Sequence, residues 1–232
     1  MSRKRLLMAD ITIAIDGYSG CGKSSTAKAL AEEFGYIYVD TGAMYRGVTY
    51  IFLRDGVDWS NDLEVAQSLD TIQLRFGKVD GETHLFEGEL DLEPFLRTME
   101  VNKNVSSVSA IESVRNKLVA EQQRLGQEGG VVMDGRDIGT VVFPNAELKL
   151  FLTADMETRA LRRQKQLIDS GIEASIEEII DNFKNRDEVD STREISPLRK
   201  AADAIEIDTT NLAFEDQLKQ IVELSKEVRN DH

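Results

Sequence analysis

The chain has 232 residues, of which 42 are acidic and 28 are basic, so its formal net charge is −14 at pH 7. Non-specific nucleic-acid binding depends on neutralising phosphates, and a chain this acidic is poorly suited to it. Hydrophobic residues make up 41% of the chain, an ordinary globular value that excludes wholesale disorder. The length fits one large domain or two small ones.

No stretch reaches the ~18 uninterrupted apolar residues that a membrane helix needs. The apolar segment after Arg3-Lys4-Arg5 is too short for a signal peptide. Residues 1–8 are therefore interpreted as a basic tail and residues 9–232 as a soluble domain. A single cysteine excludes an internal disulfide, and with only two histidines it cannot form a zinc cluster. These features predict a cytoplasmic protein without membrane or nucleic-acid partners.

The first segments in chain order predict a strand, a glycine turn and a helix. Ile11–Asp16 is a β-branched apolar run, typical of a strand buried on both faces of a parallel sheet. From Lys23 the apolar residues recur three and four apart until Gly35, where a helix would end. Tyr36–Asp40 predicts a second strand, and Ala43–Arg54 predicts the helix that follows it.

Residues 58–100 have a different pattern, which predicts an inserted antiparallel subdomain. Thr71–Phe76 and Thr83–Gly88 are interpreted as strands, and Lys78–Gly81 between them carries a hairpin signal. A long amphipathic helix is predicted over Lys103–Leu125. The prediction is thus a small β insertion followed by a return to helix.

The rest of the chain again alternates strands with helices. Gly129–Asp134, Leu148–Thr153 and Ala204–Asp208 predict three further strands. The charged stretch Asp155–Glu194 is predicted to be helical, and Phe214–Val228 to be the last helix. This alternation indicates a doubly wound α/β fold around a five-stranded parallel sheet.

The turn after the first strand carries the most specific motif of the chain. Gly17–Ser24 satisfies G-x-x-x-x-G-K-[ST] between a predicted strand and a predicted helix, the context that marks a P-loop. Its amides and the helix N-terminus would hold an anion, Lys23 would bridge the β- and γ-phosphates, and the Ser24 hydroxyl would bind Mg²⁺. The predicted ATP-binding residues are Gly17, Tyr18, Ser19, Gly20, Cys21, Gly22, Lys23, Ser24 and Ser25.

Cys21 lies inside this loop and has two interpretations. The simpler one is a small residue that fills the loop. A second hypothesis is that the helix N-terminus lowers the pKa of its thiol and that bound ATP shields it from alkylation.

A P-loop is shared by GTPases, motors, transporters and small-molecule kinases, so other residues must decide between them. The nearest match to the Asn-Lys-x-Asp guanine motif, at Asn102-Lys103-Asn104, lacks the aspartate. The chain is instead rich in arginine after predicted strand ends and in the charged stretch, and guanidinium groups suit bidentate phosphate contacts. These arginines are Arg46, Arg136, Arg159, Arg162, Arg163, Arg186 and Arg193.

With these residues the sequence resembles the bacterial cytidylate kinases. Beyond the P-loop, the resemblance rests on Asp40–Arg46, on Asp134–Pro144 with its Asp-Gly-Arg-Asp-Ile-Gly-Thr-Val-Val-Phe-Pro string, and on Arg186–Arg193 with Pro197. It covers residues 11 to 210. It implies the strand order 2-3-1-4-5, an acceptor-side subdomain at 58–100, a lid at about 157–193, and ATP-dependent phosphorylation of CMP and dCMP with Mg²⁺.

The resemblance also implies individual roles. Asp134 would hold Mg²⁺ through water, with a helix N-cap as the alternative interpretation. Arg186 would span both phosphate chains, while Arg159 and Arg163 would close over the ATP phosphates from one face of a lid helix. The residues implied on the acceptor side are Arg46, Arg136 and Arg193 at the phosphate, Thr41 near the acceptor, and Asp190 at the ribose hydroxyls.

Selection of cytosine follows from its hydrogen-bonding pattern. Asp137 can accept from the N4 amino group of cytosine, and Arg115 with Ser107 can donate to N3 and O2. The same carboxylate would face the O4 acceptor of uracil, which disfavours UMP. The serine is chosen from a segment that also offers Ser106 and Ser109.

The expected reaction is in-line attack of an acceptor phosphate oxygen on the γ-phosphorus of ATP, by a protein expected to be monomeric. That oxygen is already anionic near neutral pH, so no general base is required. Two alternatives remain open. One is a P-loop phosphotransferase for UMP, dTMP or a small hydroxylated metabolite, and the other is a nucleotide-sensing module without enzymatic activity.

Overall fold

A computed structural model describes residues 10–169 and 171–231, so the proposed basic tail at 1–8 lies outside the described residues. In chain order its strands and helices are β1 (Thr12–Gly17), α1 (Lys23–Phe34), β2 (Ile37–Asp40), α2 (Thr41–Asp55), α3 (Asp62–Thr71), β3 (Leu74–Val79), β4 (Glu82–Glu87), β5 (Leu90–Asp91), α4 (Met99–Ser109), α5 (Glu112–Leu125), β6 (Val131–Asp134), β7 (Leu148–Thr153), α6 (Met156–Asp169), α7 (Ile176–Thr192), β8 (Ile205–Asp208) and α8 (Phe214–Asp231). Among these residues, no helix is both long and apolar enough to cross a membrane.

The main sheet is five-stranded and parallel, with the order β2-β6-β1-β7-β8. Counting only its own strands along the chain, this is 2-3-1-4-5, so the predicted order is confirmed. All six residues of β1 are buried. Ala14 belongs to the core cluster that contains α2 and α5, while Ile13 and Ile15 belong to the cluster that contains α1 and α8. Because helices cover both faces of the sheet, its central strand is buried along its whole length and apolar through Ile13–Ile15.

The carboxyl ends of β1, β2 and β6 meet at one edge of the sheet and present polar groups there. Asp40 ends β2 and caps α2, since its Oδ1 accepts from the amide of Ala43 at 2.8 Å. Asp134 ends β6 beside it, in register with Asp40 and with Ile15. Ligands of open α/β sheets bind outside this edge.

The predicted insertion contains one helix and a separate antiparallel sheet, β3-β4-β5. The first strand of its hairpin begins at Leu74 and not at Thr71, because Thr71 still belongs to α3. The hairpin turns through Asp80 (φ 50°) and Gly81 (φ 89°), the positive angles that a tight hairpin needs. Leu85 packs the small sheet against α2 and is buried. The antiparallel insertion is therefore as expected, but it also contains α3.

One helical prediction was wrong in its continuity. The segment Lys103–Leu125 is two helices, α4 and α5, because Ile111 adopts an extended backbone and α5 starts after it. The charged stretch Asp155–Glu194 is helical as predicted and forms two helices, α6 and α7, with Gly171 at φ 74° between them. The boundaries 58–100 and 157–193 stay predictions.

Candidate active site

A cleft of about 1190 Å³ opens at the carboxyl edge of the main sheet. Its walls come from the P-loop and α2, from the insertion and α4, and from α6 and α7. Basic side chains outnumber acidic ones along these walls, although the chain as a whole carries a charge of −14. A basic cleft in an acidic protein focuses negatively charged ligands.

The P-loop takes the predicted form between β1 and α1. Gly17 has φ 142°, and a Cβ atom there would lie 2.1 Å from the carbonyl oxygen of Leu152, so no other residue fits. Gly20 and Gly22 also have positive φ angles, 80° and 89°. The loop residues that line the cleft are Ser19, Gly20, Gly22, Lys23, Ser24 and Ser25. Gly17, Tyr18 and Cys21 do not line it, so they shape the loop from behind.

Lys23 is buried at the start of α1 and points back along its own loop. Its Nζ donates to the carbonyl oxygen of Tyr18 at 2.7 Å. Burial, and next the charge of Arg136, lowers the pKa of this lysine to about 8. Phosphate oxygens in the cleft would oppose this effect, since an adjacent anion favours the charged form of a lysine.

Cys21 is fully buried in the core beside α1. Burial raises the pKa of its thiol, so the hypothesis of a pKa lowered by the helix N-terminus is wrong. The desolvation of the thiolate outweighs the charges of Lys23 and the nearby arginines. The geometry supports the simpler interpretation of a small residue that fills the loop.

Ser24 and Asp134 bring two oxygen ligands together beside the P-loop. The Ser24 hydroxyl donates to Asp134 Oδ2 at 2.9 Å, and Tyr38 donates to Oδ1 at 3.0 Å. Burial, and next the charge of Asp40, raises the pKa of Asp134 to about 6. A divalent cation would relieve this cost, and a hydroxyl paired with a carboxylate suits Mg²⁺.

No cluster of three or more His, Cys, Asp or Glu side chains that could hold a metal occurs within residues 10–169 and 171–231. A cation at Ser24 and Asp134 would therefore take its remaining ligands from water and phosphate. Magnesium binds in this way, because it keeps several waters and usually bridges to substrate phosphates. The donor set thus fits the predicted Mg²⁺.

Four arginines face one another across the middle of the cleft: Arg46, Arg136, Arg163 and Arg186. Burial, followed by the charge of Arg136, lowers the pKa of Arg186 to about 10. Within the described residues, Arg186 has no carboxylate within 4.0 Å, and its buried Nε has no hydrogen-bond partner. A partly buried cation among like charges costs free energy, and a bound anion would offset that cost.

Most of the remaining predicted arginines are paired. Arg136 Nε donates to Asp190 Oδ2 at 2.7 Å, and Arg136 also donates to the Ser19 hydroxyl at 2.7 Å. Burial favours the neutral form of Asp190, but Arg136 and Arg186 hold its pKa below the ordinary value. Arg193 donates to the carbonyl oxygen of Ser196 at 2.8 Å. Asp190, Arg136 and Arg193 therefore form one network on a wall of the cleft.

The structure separates Arg159 from Arg163, which were predicted to act together. Arg163 lines the cleft, whereas Arg159 is buried beneath it and pairs with Asp187 of α7 at 2.7 Å. Arg159 also donates to the carbonyl oxygen of Ser19 at 3.1 Å. Its position ties α6 and α7 to the P-loop. The four-residue spacing sets a shared helix face but not the depth of each side chain.

The predicted base-reading pair is formed and buried. Arg115 is 1% exposed, and its Nη2 donates to Asp137 Oδ2 at 2.5 Å. The same guanidinium donates to the carbonyl oxygen of Ser109 at 3.0 Å and lies 5.2 Å from the ring centre of Tyr45. Arg193 lies 3.7 Å from the other oxygen of Asp137. The pair is held rigidly at the end of the cleft, as selection of a base requires.

The choice of Ser107 is not supported by this geometry and needs correction. Ser106 and Ser109 line the cleft, whereas Ser107 is exposed and does not line it. On α4 the residues three apart share a face, so Ser106 and Ser109 lie together and Ser107 is turned away from them. The sequence identified the segment but not the face.

Two contributors to the cleft, Asp40 and Arg97, were missed by the sequence interpretation. Asp40 pairs with Arg46 at 2.9 Å, and Arg97 of the insertion lies 4.0 Å from the same carboxylate. Burial, and next the positive charges of Arg97 and Arg46, lower the pKa of Arg163. Arg97 therefore adds to the positive field around Arg163. Arg162 is held by Thr209, whose carbonyl oxygen accepts at 2.6 Å. Asp40 stood in a recognised motif, whereas nothing in the sequence connects Arg97 with the phosphate region.

The comparisons with known proteins agree with this geometry. The profile of the family described as cytidylate kinase matches residues 13–227. The chain belongs to the cytidylate kinase family. A cytidylate kinase of Cytophaga hutchinsonii is 49% identical over 222 residues, covering 94% of each chain. One of Streptococcus thermophilus is 47% identical, covering 95% of this chain and 98% of its own. One of Bacteroides fragilis is 48% identical, covering 90% of this chain and 94% of its own.

Proposed function

We propose that this member of the cytidylate kinase family transfers the γ-phosphoryl group of ATP to CMP and dCMP, forming ADP with CDP or dCDP. The observation that carries the proposal is the partly buried guanidinium of Arg186, whose Nε is buried without a hydrogen-bond partner, in one cleft with the P-loop and with the Arg115–Asp137 pair. The role assigned to it is to bridge the phosphate chains of donor and acceptor. A positive charge at that point stabilises the charge that spreads over the transferring group.

The donor would lie along the P-loop. The amides near Gly20 and Gly22 converge on an anion, and the positive end of α1 adds to their field. Lys23 would leave the carbonyl oxygen of Tyr18 for the β- and γ-phosphates. Ser24 and Asp134, the latter through water, would hold Mg²⁺, which supplies charge neutralisation between the β- and γ-phosphates.

The acceptor would occupy the opposite wall of the cleft. Arg46, Arg136 and Arg193 would hold its phosphate, and Asp190 would accept from the ribose hydroxyls. Thr41 supports this wall, because its hydroxyl donates to the carbonyl oxygen of Asp134 at 2.7 Å. Arg163 would approach the transferring group from the lid, and Arg159 would hold the lid helix to the P-loop.

The base would contact the rigid pair at the end of the cleft. The carboxylate of Asp137 would accept from the N4 amino group of cytosine, while Arg115 and a serine of α4 would donate to its N3 and O2. Uracil presents an acceptor at the first of these positions, so its oxygen would face a buried carboxylate. This arrangement supports a preference for CMP over UMP.

The reaction needs alignment and charge neutralisation, and it needs no general base. The attacking phosphate oxygen is already anionic near neutral pH, so no proton must be removed from it. The work of the cleft is to hold two polyanions end to end and to exclude water when the lid closes. We further propose that the protein acts as a monomer in cytoplasmic pyrimidine nucleotide metabolism.

A coupled assay of ADP formation with CMP, dCMP, UMP, dTMP and AMP as acceptors tests the proposal. We expect CMP and dCMP to exceed UMP in kcat/KM by about 100-fold, because UMP would lose one hydrogen bond and would place its O4 acceptor against the carboxylate of Asp137. Faster turnover of UMP or dTMP would assign a different phosphotransferase activity. ATP binding without ADP formation for any acceptor would favour a sensing module instead.

A further inference from the structure

A buried carboxylate that the proposed reaction does not use lies at the end of β1. Asp16 is 4% exposed. Its Oδ1 accepts from the amide of Ile138 at 2.8 Å, and its Oδ2 accepts from the amide of Gly139 at 2.7 Å. Both carboxylate oxygens thus accept hydrogen bonds from the backbone that immediately follows Asp137.

This backbone is a single π-helical turn, Ile138–Val142, and Asp137 stands at its N-cap position. The first amides of any helix lack partners inside it, and an aspartate at the N-cap normally accepts from them. The side chain of Asp137 makes no such capping bond. It pairs with Arg115 in the cleft instead. Asp16 therefore performs the capping that Asp137 would otherwise perform.

The other end of the segment is held by a buried group of opposite charge. Lys149 Nζ donates to the carbonyl oxygen of Pro144 at 2.5 Å and pairs with Asp203 at 2.7 Å. A Cβ atom at Gly139 would lie 3.2 Å from Lys149 Cδ and 3.4 Å from Asp16 Oδ2, so both side chains pack against this glycine. A carboxylate at the amino end and an ammonium at the carboxyl end match the dipole of a helical turn.

Holding a carboxylate at this position is costly. Burial raises the pKa of Asp16 to about 7 against the effect of its two backbone hydrogen bonds, and the charge of Asp137 raises it further. An apolar residue would avoid this cost but would leave two buried amides without acceptors. The cost indicates that the position of the turn matters.

We propose that Asp16 is a positioning residue for recognition of the base: it takes the first two amides of the turn and leaves the carboxylate of Asp137 free to face the acceptor. This inference rests on the proposed function, because the base is that of CMP. Asp16 acts on the acceptor through Asp137 and does not contact it. Its effect therefore falls mainly on the choice of acceptor, while its weaker interaction with the charge of Lys23 links it to the ATP side.

The test is Asp16→Asn, which keeps the shape of the side chain but turns an amide toward one of the two N–H groups. We expect the ratio of kcat/KM for CMP to that for UMP to fall by at least about tenfold, mainly through a higher KM for CMP. The KM for ATP should change by less than about twofold. Asp216→Asn, exposed on α8, is the matched control and should change neither.

A second measurement separates positioning from general damage to the fold. In an Asp137→Ala background, Asp16→Asn should lower the CMP preference no further, because residues that act as one unit are not additive. If thermal unfolding shows that Asp16→Asn does not fold, Lys149→Met releases the other end of the turn. It should lower the same ratio by at least about threefold.

Unchanged preference in the folded variant, or a further loss of preference in the Asp137→Ala background, would overturn the inference. If Lys149→Met is used because Asp16→Asn does not fold, an unchanged CMP to UMP ratio in Lys149→Met would overturn the inference. These results differ from failure of the proposed function, in which the wild-type protein itself would not prefer CMP.

Discussion

The two ends of the cleft differ in how their charges are partnered. At the end proposed for the base, Arg115 and Asp137 form a buried pair at 2.5 Å, and Arg193 lies 3.7 Å from the second carboxylate oxygen. At the end proposed for the phosphates, Arg186 is partly buried beside Arg136, and no described carboxylate lies within 4.0 Å of it. The base is uncharged and needs oriented donors and acceptors, whereas a phosphate chain needs surplus positive charge. The difference indicates which end receives which part of the substrate.

This contrast also concerns stability. Arginines that crowd together raise the free energy of the unliganded protein, and bound polyanions lower it again, because a ligand that binds only the folded state stabilises it. The buried Arg115–Asp137 pair has no such deficit, since each charge already has its partner. The stability of the phosphate end should therefore rise when ligands bind, whereas the stability of the base end should fall when Arg115 or Asp137 loses its partner.

The largest effect should come from Arg186→Met, which breaks the charge surplus at the phosphate end. We expect kcat to fall by about 10³-fold, the scale on which arginines stabilise phosphoryl transfer. The melting temperature of the unliganded protein should stay the same or rise, because a partly buried cation is removed from among three like charges. Arg124→Met, at an exposed site on α5, is the control. Turnover within tenfold of wild type would refute the role assigned to Arg186.

Asp137→Ala should have a smaller effect on rate and a larger one on stability and selectivity. The CMP over UMP ratio of kcat/KM should fall by about 10- to 100-fold. The free energy of unfolding should fall by about 3–5 kcal/mol, because Arg115 is left buried without its partner. A double variant, Asp137→Ala with Arg115→Met, should recover part of that stability. An intact preference for CMP would show that another group reads the base.

The pH dependence of the donor side follows from Lys23, whose pKa is lowered to about 8. A lysine is charged below its pKa, so kcat/KM for ATP should be flat from just above the pKa of Asp134, about 6, up to pH 8. It should then fall about tenfold per unit above it, since this ratio reports the free enzyme. The corresponding fall in kcat should begin at higher pH, because bound phosphates favour the charged form. In Lys23→Arg the fall in kcat/KM above pH 8 should disappear. If the fall persists in this variant, another group causes it.

The smallest expected effects distinguish the serines of α4. Ser106→Ala and Ser109→Ala should each raise the KM for CMP several-fold, on the order of one hydrogen bond of about 1 kcal/mol. Ser107→Ala should leave it unchanged, because Ser107 is exposed and does not line the cleft. Parallel measurements of KM for ATP control for general damage. A rise in the KM for CMP in Ser107→Ala alone would support the initial choice of Ser107 as the serine that contacts the base.

What could be predicted from the sequence depended on whether the residues of a feature are contiguous. The P-loop is one continuous motif with strong steric demands at Gly17, Gly20 and Gly22, so its residues and form were predicted together. The strand order, which the resemblance implied, is confirmed by the sheet, whereas the alternation of strands and helices predicted only the doubly wound α/β class. The roles of the individual side chains stay predictions.

The features that were missed depend on packing between distant segments. The partner of Arg159 is Asp187, on the next helix, and the caps of the turn after Asp137 come from Asp16 and Lys149, both far away in the chain. Helical spacing likewise could not tell which face of α4 lines the cleft. Depth, partner and face are set by tertiary contacts, which periodicity in a single sequence does not encode.

The most direct test of the charge contrast is a calorimetric titration with adenosine and cytidine joined by five phosphates, a ligand that spans both sites at once. We expect Arg186→Met to weaken its binding about 100-fold, by loss of charge-assisted contacts at the centre of the chain, and to weaken CMP alone far less. Equal affinity of wild type and variant for the joined ligand would contradict the account.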